Sequence, residues 1–197
     1  GCLRLKVSVL DALGCAIGAL DGDPVRRVRR FVTDFPLDGP CTLIGGGRSA
    51  PDRAALLNGA LVRYLDFNDS YLAPGETCHP SDNLGAVLAA AELASADGAT
   101  LLAALAVAYQ VQCRLSDAAP VRRRGFDHTT HLAYSAAAGV APPADGDGRV
   151  GRGEPHGVLG QLGQQVGDVG DRGAVDERAF RDLEHHPVEV LGLGDRR

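Results

Sequence analysis

Between two alanine-rich stretches the chain carries D-F-N-D-S-Y-L-A-P-G-E-T-C-H-P-S-D-N, residues 66–83. Asp66, Asp69, Glu76 and Asp82 stand there together with His79, Ser70 and Tyr71. Such a set can take a proton from carbon and return one to a leaving group, provided that the surroundings tune the pKa values. The helix start after His79-Pro80 adds free backbone N–H groups and a positive dipole end, suited to a carboxylate. Each residue also has an ordinary structural reading. Asp66 at a helix end reads as a cap or turn residue, and Asp69 as an Asx-turn or a brace for its neighbours. His79 before proline reads as a solvated N-cap. Tyr71 and Glu76 read as loop packing and solvent charge, and Asp82 and Asn83 as stabilisers of a helix start. Cys78 beside His79 invites a Cys/His nucleophile, but adjacent residues in an extended segment point apart.

These residues need helices to hold them. Residues 3–20 are apolar nearly all round, which predicts a buried helix of an all-α domain. D-G-D-P at 21–24 ends it. V-R-R-V-R-R-F-V follows with Val25, Val28, Phe31 and Val32 at helical spacing. Its four arginines read as a solvated face, with an anion site as the alternative. C-T-L-I-G-G-G-R-S-A-P is β-flavoured and then glycine-rich. It matches neither phosphate-loop pattern and reads as a tight connection, with Ser49 a candidate cap for the next helix. That helix carries Ala54, Leu57, Leu61 and Leu65 on one stripe. Its Asn58-Gly59 pair costs about 1 kcal/mol of helix propensity relative to alanine, which suggests close helix–helix contact. After the polar connector come a small-residue helix and, beyond S-A-D-G-A-T, a second one with Asp97 or Thr100 as cap. P-V-R-R-R-G-F is a basic loop leading into another small-residue helix. Arg122–Arg124 read as solvated, or as steering anions.

Of the 197 residues, 45% are hydrophobic and only 5% aromatic, so the core must be alanine, leucine and valine packing. A net charge of −5 gives no basic footprint for nucleic acid. Five scattered cysteines form no CxxC pair, which points to reduced thiols and a cytoplasmic setting, and against an iron–sulfur cluster. No signal-peptide pattern opens the chain, and no apolar run reaches the roughly 20 residues of a membrane span. The first residue is not Met, which suggests a processed or partial chain. At about Pro142 the composition turns to Gly, Asp, Arg and Gln. The expected organisation is a helical domain over 1–141 and an irregular tail over 142–197. The tail is either disordered or an out-of-frame translation, and the abruptness of the break favours the second.

The combination of L-L-N-G-A-L-V-R-Y-L-D-F-N-D-S, then H-P-S-D-N-L-G, then an alanine-rich helix resembles the MmgE/PrpD family. V-L-D-A-L-G-C-A-I-G-A-L near the start resembles that family's first long helix, and G-F-D-H-T-T-H-L-A-Y-S-A-A-A-G its later histidine segment. The likeness covers roughly residues 3–140. It implies a mainly α chain, a fragment of the family's all-helical large domain. It implies a hydro-lyase of the 2-methylcitrate dehydratase kind, part of propionate catabolism, acting on a small tricarboxylate without metal or other cofactor, in a homodimer. The alternatives are a cis-aconitate decarboxylase-like lyase and an inactive helical remnant with only an interaction role. Residue by residue, the resemblance assigns Asp66 to the first acid of the box, Ser70 to its hydroxyl position and His79 to the H-P-S histidine. His128 matches the later histidine, with His131 competing. Ser81 and Asn83 fall at the substrate-binding positions. Full-length relatives place further catalytic groups downstream, lysines among them, whereas the one lysine here is Lys6. The implied chemistry takes the proton α to a carboxylate, protonates the departing hydroxyl and holds the carboxylates.

Overall fold

Among the described residues, six helices and two small hairpins follow one another in the order α1 (Cys2–Gly18), α2 (Asp23–Asp34), β1 (Cys41–Thr42), β2 (Arg48–Ser49), α3 (Pro51–Tyr64), β3 (Tyr71–Ala73), β4 (Glu76–Cys78), α4 (Leu84–Leu93), α5 (Gly98–Ala118) and α6 (Thr129–Val140). Short 3₁₀ turns at Pro80–Asn83 and Arg122–Arg124 lead into α4 and α6. This computed structural model describes residues 2–141. The expected tail, 142–197, and the two accounts of it lie outside the described residues.

Proline and acid mark the helix starts. Pro24 and Pro51 sit in the first turns of α2 and α3, beside Asp23 and Asp52. There the missing N–H costs nothing and an acid meets the positive dipole end. Asp97 caps α5 through its carboxylate, which accepts from the Thr100 N–H at 2.8 Å. Ser49 does not cap α3. Its hydroxyl donates to the Leu37 carbonyl at 2.8 Å, and Ala50 takes the cap position without a side-chain bond.

α3 packs chiefly on α4, and α5 on α6, while α1 and α2 both lie against α3. The shared core is Ala12, Ala16, Ala54, Leu57, Leu61, Val62, Leu84, Val87, Leu105 and Ala108. Small residues bring the helices close. A Cβ on Gly85 of α4 would lie 2.6 Å from the Gly59 nitrogen and 2.9 Å from the Ala55 carbonyl oxygen of α3. The contact expected at Asn58-Gly59 is therefore real, and Gly85 is the residue that permits it. Asn58 does separate work: fully buried, it accepts from the Ile44 N–H at 2.9 Å and donates to the Thr42 carbonyl at 2.8 Å. It ties the first hairpin to α3 and satisfies backbone groups that would otherwise be buried without partners.

The glycine-rich run forms the loop of that hairpin, with Gly45, Gly46 and Gly47 all at positive φ, a region that side chains with a Cβ seldom enter. The Arg29 guanidinium donates to the Ile44 and Gly46 carbonyls. One of the four arginines read as solvated thus anchors the hairpin. α1 also departs from expectation. Ala12, Cys15 and Ala16 are buried, but Leu3, Val7, Leu10 and Ile17 on its other face are exposed. Cys15, Cys41, Cys78 and Cys113 are all buried free thiols.

Candidate active site

The connector between α3 and α4 folds as a loop, the β3–β4 hairpin and the 3₁₀ turn. α3 ends at Tyr64, and Asp66 takes a left-handed φ of 52°. Asp tolerates this region better than most residues because its short side chain can bond locally. The reversal turns the Asp66 carboxylate back over the helix end, where Arg63 donates to Oδ1 at 2.6 Å. That bond holds the Asp66 carboxyl below the usual carboxylate range, although the side chain is largely exposed. The Arg63 Nε also lies 3.8 Å from Oδ2 of Asp82. Asp82 is nearly buried, and burial pushes its carboxyl up to about 6 against the pull of Arg63 and an Asn68 amide bond of 2.9 Å.

His79 stands at the end of β4. Its Nδ1 lies 2.8 Å from the Asp69 carbonyl oxygen and 3.3 Å from the Ser70 hydroxyl. A carbonyl can only accept, so Nδ1 carries the proton and neutral His79 keeps its lone pair on Nε2. The Asp66 Oδ1 lies 3.9 Å from that Nε2. A proton arriving on Nε2 therefore meets a carboxylate already ionised by Arg63. Asp69 braces the loop a second time by accepting from the Ser81 N–H at 3.0 Å.

The His128 ring, just before α6, lies edge-on to His79 with centroids 5.4 Å apart and planes at 67°. His128 is 7% exposed and burial lowers its pKa, so it is neutral near pH 7. Its Nδ1 faces the Arg122 Nη2 at 3.4 Å and the Asp127 Oδ1 at 3.1 Å, while its Nε2 is buried without a partner. The competing His131 points elsewhere. Buried at 3% exposure, it sets Nε2 3.0 Å from the Ala119 carbonyl and Nδ1 3.5 Å from the Ser116 hydroxyl.

Asp66, Ser70, His79 and His128 thus come together. Ser81 and Asn83 sit behind them. Ser81 is 1% exposed and its hydroxyl accepts from Asn68 at 2.8 Å. Asn83 is fully buried; it donates to the Pro80 carbonyl at 2.9 Å and to Gln112 at 2.6 Å, and accepts from Ser135 at 2.8 Å. Any effect of these two on a bound molecule passes through the turn that they hold.

Glu76 contradicts its reading as a solvent charge. Its side chain is fully buried, accepts from the Val121 N–H at 2.8 Å and the Arg122 N–H at 3.2 Å, and lies 3.1 Å from the Arg122 Nε. Tyr71 donates to the Asp117 carboxylate, which fastens the hairpin to α5. Cys78 is fully buried, pairs across the hairpin with Tyr71 and contacts Cys113 of α5. Its thiol belongs to the packed side of the strand, which removes the Cys/His nucleophile.

Sequence reasoning did not single out Arg63, and it read Asp82 as a helix-start stabiliser, Glu76 as a solvent charge and Arg122 as a solvated or anion-steering residue. Arg63 had a legible signal, since it stands three residues before Asp66 at a helix end. Glu76 and Arg122 had none, being 46 residues apart. Among the described residues no three His, Cys, Asp or Glu side chains converge as metal ligands. Nor is any described helix long and apolar enough to cross a membrane.

Residues 2–147 match the MmgE/PrpD N-terminal domain. The chain is 27% identical to the 2-methylcitrate dehydratase of Escherichia coli K12, over 91% of this chain and 36% of that protein. It is 30% identical to the 2-methylcitrate dehydratase of Salmonella typhimurium LT2, over 68% of this chain and 30% of that protein. It is 27% identical to the mitochondrial 2-methylcitrate dehydratase of Yarrowia lipolytica, over 92% of this chain and 34% of that protein. The chain thus spans about a third of the length of these curated relatives. No solved structure matches it. With a match over most of its length and a mainly helical fold, the chain belongs to the MmgE/PrpD family.

Proposed function

We propose that residues 2–141 form one wall of a hydro-lyase site of the 2-methylcitrate dehydratase type. The observation that carries this reading is the pair of adjacent imidazoles, 5.4 Å apart, with Asp66 beside one and Arg122 beside the other. Dehydration of a 3-hydroxy acid breaks a C–H bond α to a carboxylate and a C–O bond at the neighbouring carbon. His79, with its lone pair on Nε2, takes the α-proton. Asp66 stabilises the imidazolium that forms, and Ser70 helps to hold the ring through Nδ1. His128 delivers a proton to the departing hydroxyl, water leaves, and the electron pair of the C–H bond becomes the new C=C bond. Ser81 and Asn83 act on a bound substrate through the 3₁₀ turn that they hold, because the Ser81 N–H is already given to the Asp69 carboxylate and the Asp82 N–H to the His79 carbonyl. The same reading carries a cytoplasmic homodimer acting on a small tricarboxylate, with no metal or organic cofactor. It also carries a helical domain ending near 141, followed by a separate segment.

The test is an ultraviolet assay for the conjugated product, with 2-methylcitrate and cis-aconitate offered separately. It is run on this chain and on a form extended in frame to the length of its relatives. The expected result is an absorbance gain from 2-methylcitrate in the extended form, reduced at least about 100-fold by His79→Ala. Turnover of cis-aconitate to a decarboxylated product would instead favour the sister lyase. A folded extended form inert to both substrates would leave a helical remnant with an interaction role.

A further inference from the structure

We infer that Glu76 and Arg122 form a positioning pair that sets the tautomer of His128 opposite to that of His79, so that one ring offers a lone pair and its neighbour an N–H. The catalytic consequence rests on the lyase reading above; the tautomer itself does not.

The pair begins with a buried carboxylate. Glu76 lies on β4, opposite Ala73 of β3. It reaches the 3₁₀ turn before α6 and accepts both the Val121 and the Arg122 backbone N–H, at 2.8 and 3.2 Å. A side chain with none of its surface in water and a charge to balance needs such partners. The Arg122 Nε at 3.1 Å supplies the countercharge. The guanidinium meets Glu76 as an ion pair from a side chain that is 55% exposed, and its rigid planar fork sets where the other end can lie. Its Nη2 comes to 3.4 Å from the His128 Nδ1.

A guanidinium donates and never accepts. The Nδ1 of a neutral His128 must therefore be the lone-pair nitrogen, and the proton resides on Nε2. That Nε2 is the ring atom left buried without a partner. His79 shows the reverse arrangement, because the Asp69 carbonyl requires its proton on Nδ1. Two adjacent imidazoles thus present complementary nitrogens, an acceptor Nε2 on His79 and a donor Nε2–H on His128. A reaction that removes one proton and supplies another needs both at once.

One group opposes this assignment. The Asp127 Oδ1 lies 3.1 Å from the same Nδ1 and would favour a proton there. It meets Nδ1 at ion-pair distance without hydrogen-bond alignment, and it already accepts from the Thr129 N–H at 3.0 Å as the start of α6 forms. Its side chain is 63% exposed, so solvent weakens its hold. Arg122 and Arg63 disfavour protonation of the His128 ring, as does His79 whenever that ring is itself protonated, and burial acts in the same direction. These conditions keep His128 neutral and leave the choice of tautomer to Arg122.

Ring ¹⁵N spectra of the histidine-labelled 197-residue chain read the tautomers directly, with resonances assigned through His79→Gln and His128→Gln. The expected wild-type pattern is a protonated Nδ1 on His79, and a bare Nδ1 with a protonated Nε2 on His128. Arg122→Gln should shift His128 toward the Nδ1-protonated form, whereas Asp127→Asn should leave it unchanged. If Arg122→Gln fails to fold, Arg122→Lys keeps a charge but removes the rigid fork and should produce a partial shift. A wild-type His128 protonated on Nδ1, or a His128 ring indifferent to both Arg122 substitutions, overturns the inference. The lyase reading fails separately, if the tautomers are as stated but His128→Gln leaves turnover of the extended form unchanged.

Discussion

The apolar helix α1 and the polar connector between α3 and α4 have exchanged the burial that their compositions suggest. In α1, Ile17 is 62% exposed and Leu10 71%. In the connector, Glu76 is 4% exposed and Asn83 not at all. Hydrophobicity alone did not sort them. A helix presents only one stripe to a given neighbour, and α1 has its neighbours, α3 and α5, on one side. The connector is held between α3, α5 and α6, so its polar groups lie inside and must find partners there. The lesson is that a buried polar group marks organisation more reliably than an apolar one.

The sharpest way to test this contrast is Asn83→Ala. It deletes three buried hydrogen bonds and leaves the Pro80 carbonyl and the Gln112 amide without their partner. A loss of about 4 kcal/mol is expected in urea denaturation, and a loss below about 1 kcal/mol would show that the turn relaxes or takes in water.

Asp82 gives the next largest effect, and it has a sign. Its folded pKa of about 6 lies above the ordinary carboxylate value. Its contribution is therefore fully present below the unfolded pKa near 4 and is lost as the pH rises through 6. At about 1.4 kcal/mol per pH unit the loss is on the order of 3 kcal/mol. His128 and His131 act oppositely, because burial lowers both. Their contribution is present above the unfolded histidine pKa and is lost as the pH falls through the folded value. Asp82→Asn should stabilise the chain relative to wild type by an amount that grows between pH 4 and pH 7. Parallel stability curves across that range would show that Asp82 is hydrated in solution.

Glu76→Gln keeps the shape and an acceptor for the two backbone N–H groups but removes the charge facing Arg122. A cost of about 1.5 kcal/mol is expected in the same titration, together with increased mobility of Arg122. The smallest effect belongs to α1. Ile17→Glu should change stability by less than about 0.5 kcal/mol. Unfolding on that substitution would mean that the outer face of α1 is covered in solution and that the contrast is a contrast of neighbours still to be found.

Much of the secondary structure was legible, because its signals are local. Pro24, Pro51, Asp97 and the 3.6-residue spacing of Leu57 and Leu61 act within a turn or two. The cluster of Asp66, Ser70 and His79 was legible as a motif for the same reason, since all three lie within one connector. What escaped was contact across the chain. The burial of Glu76 depends on residues 121 and 122, and that of Asn83 on Gln112 and Ser135. The role of Arg29 as an anchor rather than a solvated charge depends on where a hairpin 15 residues later folds back.

The sequence by itself determined the helical class, the helix starts and the residues able to exchange protons. These follow from backbone sterics, capping and side-chain chemistry, all of which act over a few residues. Only the tertiary structure decided that His128 rather than His131 stands against His79, and which nitrogen of each ring is free. A histidine has two nitrogens of nearly equal basicity. The choice between them is made by the groups that face them, and here those groups are a carbonyl one loop away and a guanidinium aimed by a carboxylate 46 residues earlier in the chain.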